Sequence, residues 1–305
     1  MIKKHTHKNI SWLEIDNPDK QDIKEIISEY KIDPSIASEI ELPTYKEKII
    51  LSKNYIYMVM HFPALRHSHK KSEQEIDFII GKDFIITTKY EPIDALEKFS
   101  QTFAVNEILD RNLMEDHAGF VFYYILKELY KSLSDELDSI NDNLKLIEKN
   151  VFNNKEKEMV AEISRANRDL MKIEHAVNSH GELLESAKKE MLKFFGKDFA
   201  DNLDKISNEY YRVKKALSNS LDFLREIRDT NDSLLSSKQN EIMKILTIIT
   251  FFSLPFSVTT DLIFQENLLE TPLSLFLKQN HLLIIGLQLI VFLGVFYVAK
   301  KKKWF

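Results

Sequence analysis

The 305-residue chain has no cysteine, which excludes disulfides and thiolate metal sites. Its 6 glycines are scattered, so a glycine-rich loop that cradles phosphates is not expected. No Ser/His/Asp arrangement and no Glu-x-x-His motif is present, so neither nucleophilic nor zinc-dependent hydrolysis is indicated. The chain is not expected to be an enzyme or to carry a cofactor. Net charge is -5, and the one block of basic residues is the run Lys300–Lys303 near the end. Nucleic acid is therefore not an expected partner. The start, Met1-Ile2-Lys3-Lys4-His5-Thr6-His7, lacks an apolar core segment. No cleaved secretory signal is expected, and the bulk of the chain is placed in the cytoplasm.

Hydrophobic residues make up 44% of the sequence and charged residues 29%, averages that conceal a sharp division. Charge is concentrated before Asn240, and the remainder is mostly apolar. A helix needs about 20 apolar residues to cross a bilayer core of about 30 Å. Residues 245–264 meet that length, with hydroxyl residues among them, and 282–299 are cleaner, with only Gln288 strongly polar. Together they read as a two-helix membrane hairpin. The competing reading, a buried helical pair of a soluble protein, fits less well, because such helices rarely stay apolar on all faces. The lysines after the second span place both termini in the cytoplasm by the positive-inside rule.

Within the first span, Asn240, Met243, Thr247, Thr250, Leu254, Ser257 and Asp261 recur every three or four residues and so share one helical face. Such a face packs against other helices or lines water. One hairpin cannot enclose a pore, so a pore would need an oligomer. Pro255 removes a helical hydrogen bond and predicts a kink. Asp261 either sits as a solvated helix end or, in a symmetric ring, forms a circle of carboxylates that attracts hydrated cations.

Before the spans, residues 10–15 read as a strand, and Asn17-Pro18 opens a helix through Tyr30 with Asp16 or Asn17 as cap. Asp33-Pro34 starts a short helix. Residues 46–51 with 55–62, and 75–80 with 84–88, predict two β-hairpins. Residues 121–151 and 159–192 predict two long helices, and Gly196-Lys197-Asp198 a break. From Asp201 the helical pattern continues to Pro255, with Val213, Leu217, Leu221 and Leu224 at heptad-like spacing. His67-Ser68-His69 with His61 nearby could hold a metal, though such a loop is more commonly only solvated. His5 and His7 read as a flexible pair. The acids Asp222, Glu226, Asp229 and Asp232 recur along the long helix, as a solvated face or a cation-sensing surface.

The expected fold is thus an α+β cytoplasmic domain with long stalk helices and a two-helix transmembrane hairpin. Its parts are an α+β subdomain over 1–93, a helical subdomain and stalk over 94–241, a first span over 242–264, an outer loop over 265–280, a second span over 281–299 and a basic tail over 300–305.

The run from Asn240 to Ile249, Pro255 in mid-helix, and a second span ending in Lys300–Lys303, Trp304 and Phe305 resemble the CorA family of divalent-cation channels. Trp12, Asn17-Pro18, the run from Leu42 to Glu47, His61-Phe62-Pro63 and Ile85-Ile86-Thr87-Thr88 follow in the family's order. The resemblance covers nearly the whole chain. It implies a homopentamer in the cell membrane, a pore on its axis, and passive conduction of a divalent cation, Mg2+ before Co2+ or Ni2+. Pore-lining positions implied or read above are Asn240, Met243, Leu246, Thr247, Thr250, Leu254, Ser257 and Asp261. In the family, bound ions bridge acids of neighbouring subunits. The candidates for such regulatory Mg2+ sites are Asp204, Asp222 and Glu226, although an ungapped count sets Lys205 at one family acid.

The chain departs from the family at the outer mouth. Where the family has Gly-Met-Asn, an ungapped count gives Phe264-Gln265-Glu266. A rebuilt ion ring would use Asp261, Gln265 or Glu266. The alternatives are a Zn2+-selective variant, or a non-conducting membrane scaffold or sensor that kept the fold and lost the filter.

Overall fold

The computed structural model describes residues 2–7, 9–44, 46–63, 73–104, 117–264 and 279–301. The chain divides into two compact units, Met1–Asp229 and Thr230–Phe305.

The first unit is built on a six-stranded sheet in the order β1-β2-β6-β5-β4-β3. The strands are β1 (Ile2–His7), β2 (Ile10–Asp16), β3 (Lys48–Leu51), β4 (Ile56–Pro63), β5 (Glu73–Ile80) and β6 (Phe84–Lys89). Neighbours pair antiparallel except β2 and β6, which are parallel with Trp12 opposite Ile85. Every residue of β4 is buried, as expected of a central strand covered on both faces.

Helices α1 (Lys20–Tyr30) and α2 (Pro34–Ile40) cover one face. Ile26, Ile36 and Ile40 pack there with Leu13, Ile15, Tyr57, Val59, Ile79 and Ile86. The other face carries the alternate residues, where Trp12 meets Phe99 and Phe103 of α3 (Asp94–Ala104), each at 5.2 Å between ring centres. Phe78 meets Phe122 of α4 (Gly119–Phe152) edge-on at 5.3 Å. Two buried polar bonds on this face join β2 to β6. Trp12 Nε1 donates to Thr87 Oγ1 at 3.0 Å, and Lys89 Nζ donates to Glu14 Oε1 at 2.7 Å.

Three sequence expectations are corrected. The N-terminal histidines are not a flexible pair: His5 and His7 lie in β1, and the His5 ring packs 5.1 Å from Trp12. The α1 cap is Asp19 rather than Asp16 or Asn17. Asn17 takes a left-handed φ of 48° and donates its N–H to the Lys89 carbonyl, which prolongs strand pairing and delays the helix. Asp19 Oδ1 then accepts from the N–H groups of Gln21 and Asp22, each at 2.8 Å.

The expected helix over 159–192 is two helices, α5 (Glu156–Val177) and α6 (His180–Phe195). At the break, tertiary contacts override helical pattern. His180 is held by Tyr130 and by β4, and Gly181 lets Tyr210 approach so closely that a Cβ would lie 2.9 Å from its hydroxyl. Gly196, with φ at +95°, ends α6 as the sequence predicts. A 3-10 turn, Lys197–Phe199, leads into α7 (Ala200–Phe264), a 65-residue helix that continues through Pro255. Its buried seam runs through Val213, Leu217, Ser220, Leu224 and Ile227, with Leu221 only half-buried. Ser220 donates to Asn141 Oδ1 of α4 at 2.8 Å.

The second unit contains the rest of α7 and α8 (His281–Lys301). Phe256 and Phe292 meet edge-on, 6.4 Å apart.

Candidate functional site

The second unit presents apolar side chains outward on every side. Ile242, Met243, Leu246, Ile249, Phe251, Leu254 and Val258 of α7 are each more than half exposed, as are Leu282, Leu283, Leu287, Ile290 and Val291 of α8. A helix pair this apolar on all faces needs lipid or further copies of itself to cover it. Among the described residues one helix is long and apolar enough to cross a membrane, and α8 holds a shorter apolar stretch.

Toward the end of α7 five polar residues, Asn240, Thr247, Thr250, Ser257 and Asp261, share one stripe. At 100° per residue, Met243, Thr250, Leu254 and Asp261 fall within about 40° of one another around the helix. Asn240, Thr247 and Ser257 flank them, Leu246 lies at one border, and all eight side chains are exposed. Thr247 Oγ1 donates to the Met243 carbonyl at 2.8 Å, and Thr250 Oγ1 to the Leu246 carbonyl at 2.9 Å. Ser253 Oγ donates to the Thr250 carbonyl at 3.2 Å. Such back-bonding makes hydroxyls tolerable at membrane depth. It also leaves only oxygen lone pairs to face outward, because a hydroxyl has one proton to give. A surface of that kind accepts hydrogen bonds from the water around a cation and repels anions. Asp261 adds a carboxylate two to three turns further along the stripe.

The other sequence-based candidates separate. Gln265 and Glu266 lie outside the described residues, as do His67 and His69. His61 is committed elsewhere: its Nε2 lies 2.9 Å from the Thr44 carbonyl and 3.3 Å from Glu75 Oε2. Asp204 is paired with Lys188 of α6, and Asp222 with Arg225 at 2.8 Å. Glu226 is exposed one turn beyond Asp222. Among the described residues no three His, Asp or Glu side chains converge as a metal site. One ionisable cluster went unnoticed in the sequence: Glu47, His61, Glu75, Asp77 and His180. Its signal was the alternation of acids Glu73, Glu75 and Asp77 on β5, running straight into the apolar Phe78-Ile79-Ile80.

A mixed α/β domain, a helix of 65 residues, and an apolar terminal pair bearing one polar stripe fit a protein that sits in a membrane. The chain matches the family described as CorA-like Mg2+ transporter protein over residues 7–301. It belongs to that family, and hence to the divalent-cation transporters. The cobalt/magnesium transport protein CorA of Thermotoga maritima is 21% identical over 296 residues, 96% of this chain and 83% of the relative. The protein of the same description from Methanocaldococcus jannaschii is 23% identical over 226 residues, 74% of this chain and 70% of the relative. The complete structure of the CorA magnesium transporter from M. jannaschii superposes with a TM-score of 0.79 at 19% identity, covering 98% of this chain and 93% of that one.

Proposed function

We propose that the chain conducts Mg2+ passively across the cell membrane, with Co2+ and Ni2+ as secondary cargo, as a homopentamer whose axis is lined by the polar stripe of α7. The observation that carries this reading is the stripe itself: acceptor-only hydroxyls at Thr247 and Thr250 on a helix otherwise clothed in exposed apolar side chains. Residues 242–264 and 281–299 are the two spans, with 265–280 outside. The domain before them (1–93 and 94–241) and the tail 300–305 are cytoplasmic.

In this arrangement Asn240 forms the inner entrance, and Met243, Leu246 and Leu254 form an apolar constriction that gates by dewetting. Thr247, Thr250 and Ser257 line the wetter part, and Asp261 forms a carboxylate ring toward the outer mouth, with Gln265 and Glu266 beyond it. Mg2+ releases its water reluctantly, so a ring that holds the hydrated ion through second-shell contacts suits it. Asp204, Asp222 and Glu226 are the acids that would bind a regulatory ion between subunits.

The test is flux into proteoliposomes loaded with a metal-sensitive dye, with Mg2+, Co2+, Ni2+ and Zn2+ offered in turn. Conduction of Mg2+ that falls on Asp261→Ala supports the reading. Faster entry of Zn2+ than of Mg2+ would assign the Zn2+-selective variant instead. Entry of none of the four, together with a Thr250→Cys variant that external thiol reagents cannot reach, would leave a non-conducting scaffold.

A further inference from the structure

The sheet face covered by α1 and α2 ends in a group of ionisable side chains for which cation transport has no use. Glu75 and Asp77 take alternate positions on β5 and therefore share a face. Across the ladder, His61 is opposite Glu75 and Val59 opposite Asp77. Asp77, Glu75 and His61 are all buried. Three hydroxyls close on Asp77: Thr88 Oγ1 lies 2.7 Å from Oδ2, the Tyr90 hydroxyl 2.9 Å from the same oxygen, and the Tyr57 hydroxyl 3.3 Å from Oδ1.

Thr44 and Glu47, which lie between α2 and β3 in the chain, both reach this group. The Thr44 N–H donates to Glu75 Oε2 at 2.5 Å, and His61 Nε2 donates to the Thr44 carbonyl at 2.9 Å. Glu47 Oε1 accepts from the His61 N–H at 3.2 Å and lies 3.3 Å from His180 Nε2, on the first residue of α6. His180 Nε2 also donates to the His61 carbonyl at 2.8 Å, while its Nδ1 lies 3.0 Å from the Tyr130 hydroxyl.

Counting protons exposes a vacancy. Tyr90 has one phenolic proton but two acceptors at 2.9 Å, Asp77 Oδ2 and the carbonyl of Ile40, the last residue of α2. If that proton serves Ile40, the Asp77–Tyr90 contact needs a proton on Asp77. Glu75, whose side chain contacts Asp77, keeps its buried Oε1 without a donor among the described residues. Two buried carboxyls in contact do not both ionise.

We propose that Asp77 and Glu75 form a proton-binding site, whose proton, carried by Asp77, latches Thr44 over the sheet and Glu47 onto the start of α6. On release the proton passes to water. The Tyr90 hydroxyl then turns to the Asp77 carboxylate, and the Ile40 carbonyl loses its donor.

The electrostatics of the pocket agree. Burial, and then the Glu75 charge, push the Asp77 carboxyl up from 3.8 to about 7. Burial lowers His61, but its bonds to Glu75 and Thr44 more than offset this, so it stands above its ordinary 6.5. Burial and then the Asp77 charge hold the Tyr57 and Tyr90 phenols far above their usual range, so both stay neutral. Lys48 of β3 lies 5.9 Å over the Tyr57 ring and is itself paired with Glu39 of α2. Burial raises Glu47, but its bond to His180 outweighs this and leaves it below 4.5.

The fold therefore holds the Asp77 and His61 protons more tightly than the unfolded chain does. Their contribution is complete below the unfolded values and is lost as pH rises through the folded ones. Glu47 acts in the opposite sense, but only as pH falls below 4.5. The latch therefore loosens as pH rises toward about 7 and is released above it.

The test uses the detergent-solubilised full chain between about pH 5 and pH 8. Infrared difference spectra should show the carbonyl stretch of a buried neutral carboxyl that disappears with a midpoint near 7. After correction for intrinsic rates, amide protection at Thr44 and His61 should fall by about tenfold per pH unit up to that midpoint and then level off. Asp77→Asn, which keeps a donor toward Tyr90, should remove the band and flatten the protection profile below pH 6.5, leaving the smaller His61 share above it. Absence of the band in the wild-type protein overturns the proposal without recourse to any variant. So does a band, or a fall in protection below pH 6.5 where His61 does not titrate, that survives Asp77→Asn.

Discussion

Replacing Lys89 by methionine should be among the most damaging single changes in the first unit. Lys89 and Glu14 are both buried, at 1% and 0% exposure, and their charges approach to 2.7 Å. Asp16 and Glu97 add contacts at 3.3 and 3.6 Å but are over a third exposed, so water can solvate them if the lysine is lost. Glu14 has no such recourse: its Oε2 already lacks a hydrogen-bond partner among the described residues. Burial pulls the Lys89 ammonium down, but its bonds to Glu14 and Asp16 more than restore it, so it stays charged and its contribution is complete below 10.5. Breaking a buried pair from one side costs about 3–5 kcal/mol. For a unit of this size, 1 kcal/mol shifts Tm by roughly 2–4 °C, so Lys89→Met should lower Tm by about 6–20 °C. Glu14→Leu combined with Lys89→Met should recover most of that loss, because two apolar groups need no compensation. Thermal unfolding followed by circular dichroism measures both variants. Equal losses in the single and double variants would show that geometry, not an uncompensated charge, sets the cost.

Other changes address transport and local stability. Asp261→Asn should cut Mg2+ entry into proteoliposomes several-fold at low ionic strength and less at high, since the attraction of a carboxylate ring is screened over about 8 Å at physiological salt. Thr250→Val, which keeps the shape and deletes the outward lone pairs, should slow Mg2+ flux while leaving Tm unchanged within about 1 °C; Thr250→Ser should restore flux. Asp19→Ala removes both capping bonds of α1 and should destabilise the first unit by about 1 kcal/mol, read in denaturant titrations.

Much of this architecture could be read from the residues. The apolar run 55–62, the β-rich run 84–88 and the Asp33-Pro34 start all became the elements their patterns describe. The stripe on α7 was readable because helical period alone decides which residues share a face. What escaped depended on partners distant in sequence. After Ile2, β1 is polar, Lys3-Lys4-His5-Thr6, and becomes a strand only because β2 offers it a ladder. The break before His180 is set by Tyr130, Glu47 and His61, more than 45 residues away, and by the approach of Tyr210 to Gly181. Asp204 sits in a plain acidic pattern, and nothing local shows that Lys188 of α6 pairs with it. The Glu75–Asp77 pair carried a signal in its alternation, but its meaning rests on Tyr90, Thr44 and Glu47.

The single parallel pairing, β2 with β6, divides the sheet into two pieces that each close locally. β1 and β2 form a hairpin, and β3 to β6 form an antiparallel meander. The ladder from Ser11 opposite Phe84 to Asp16 opposite Lys89, between residues some seventy positions apart, joins them. Long-range pairing of this kind forms late, since the entropy of closing the loop must be met before any contact is gained. A ribosome-bound chain must therefore hold its first hairpin in waiting until β6 emerges, with an open edge on the meander in the meantime. Such an edge is where copies of a nascent chain join one another. The same seam is where the sheet would part first under load, with Trp12–Thr87 and Lys89–Glu14 as its two side-chain rivets.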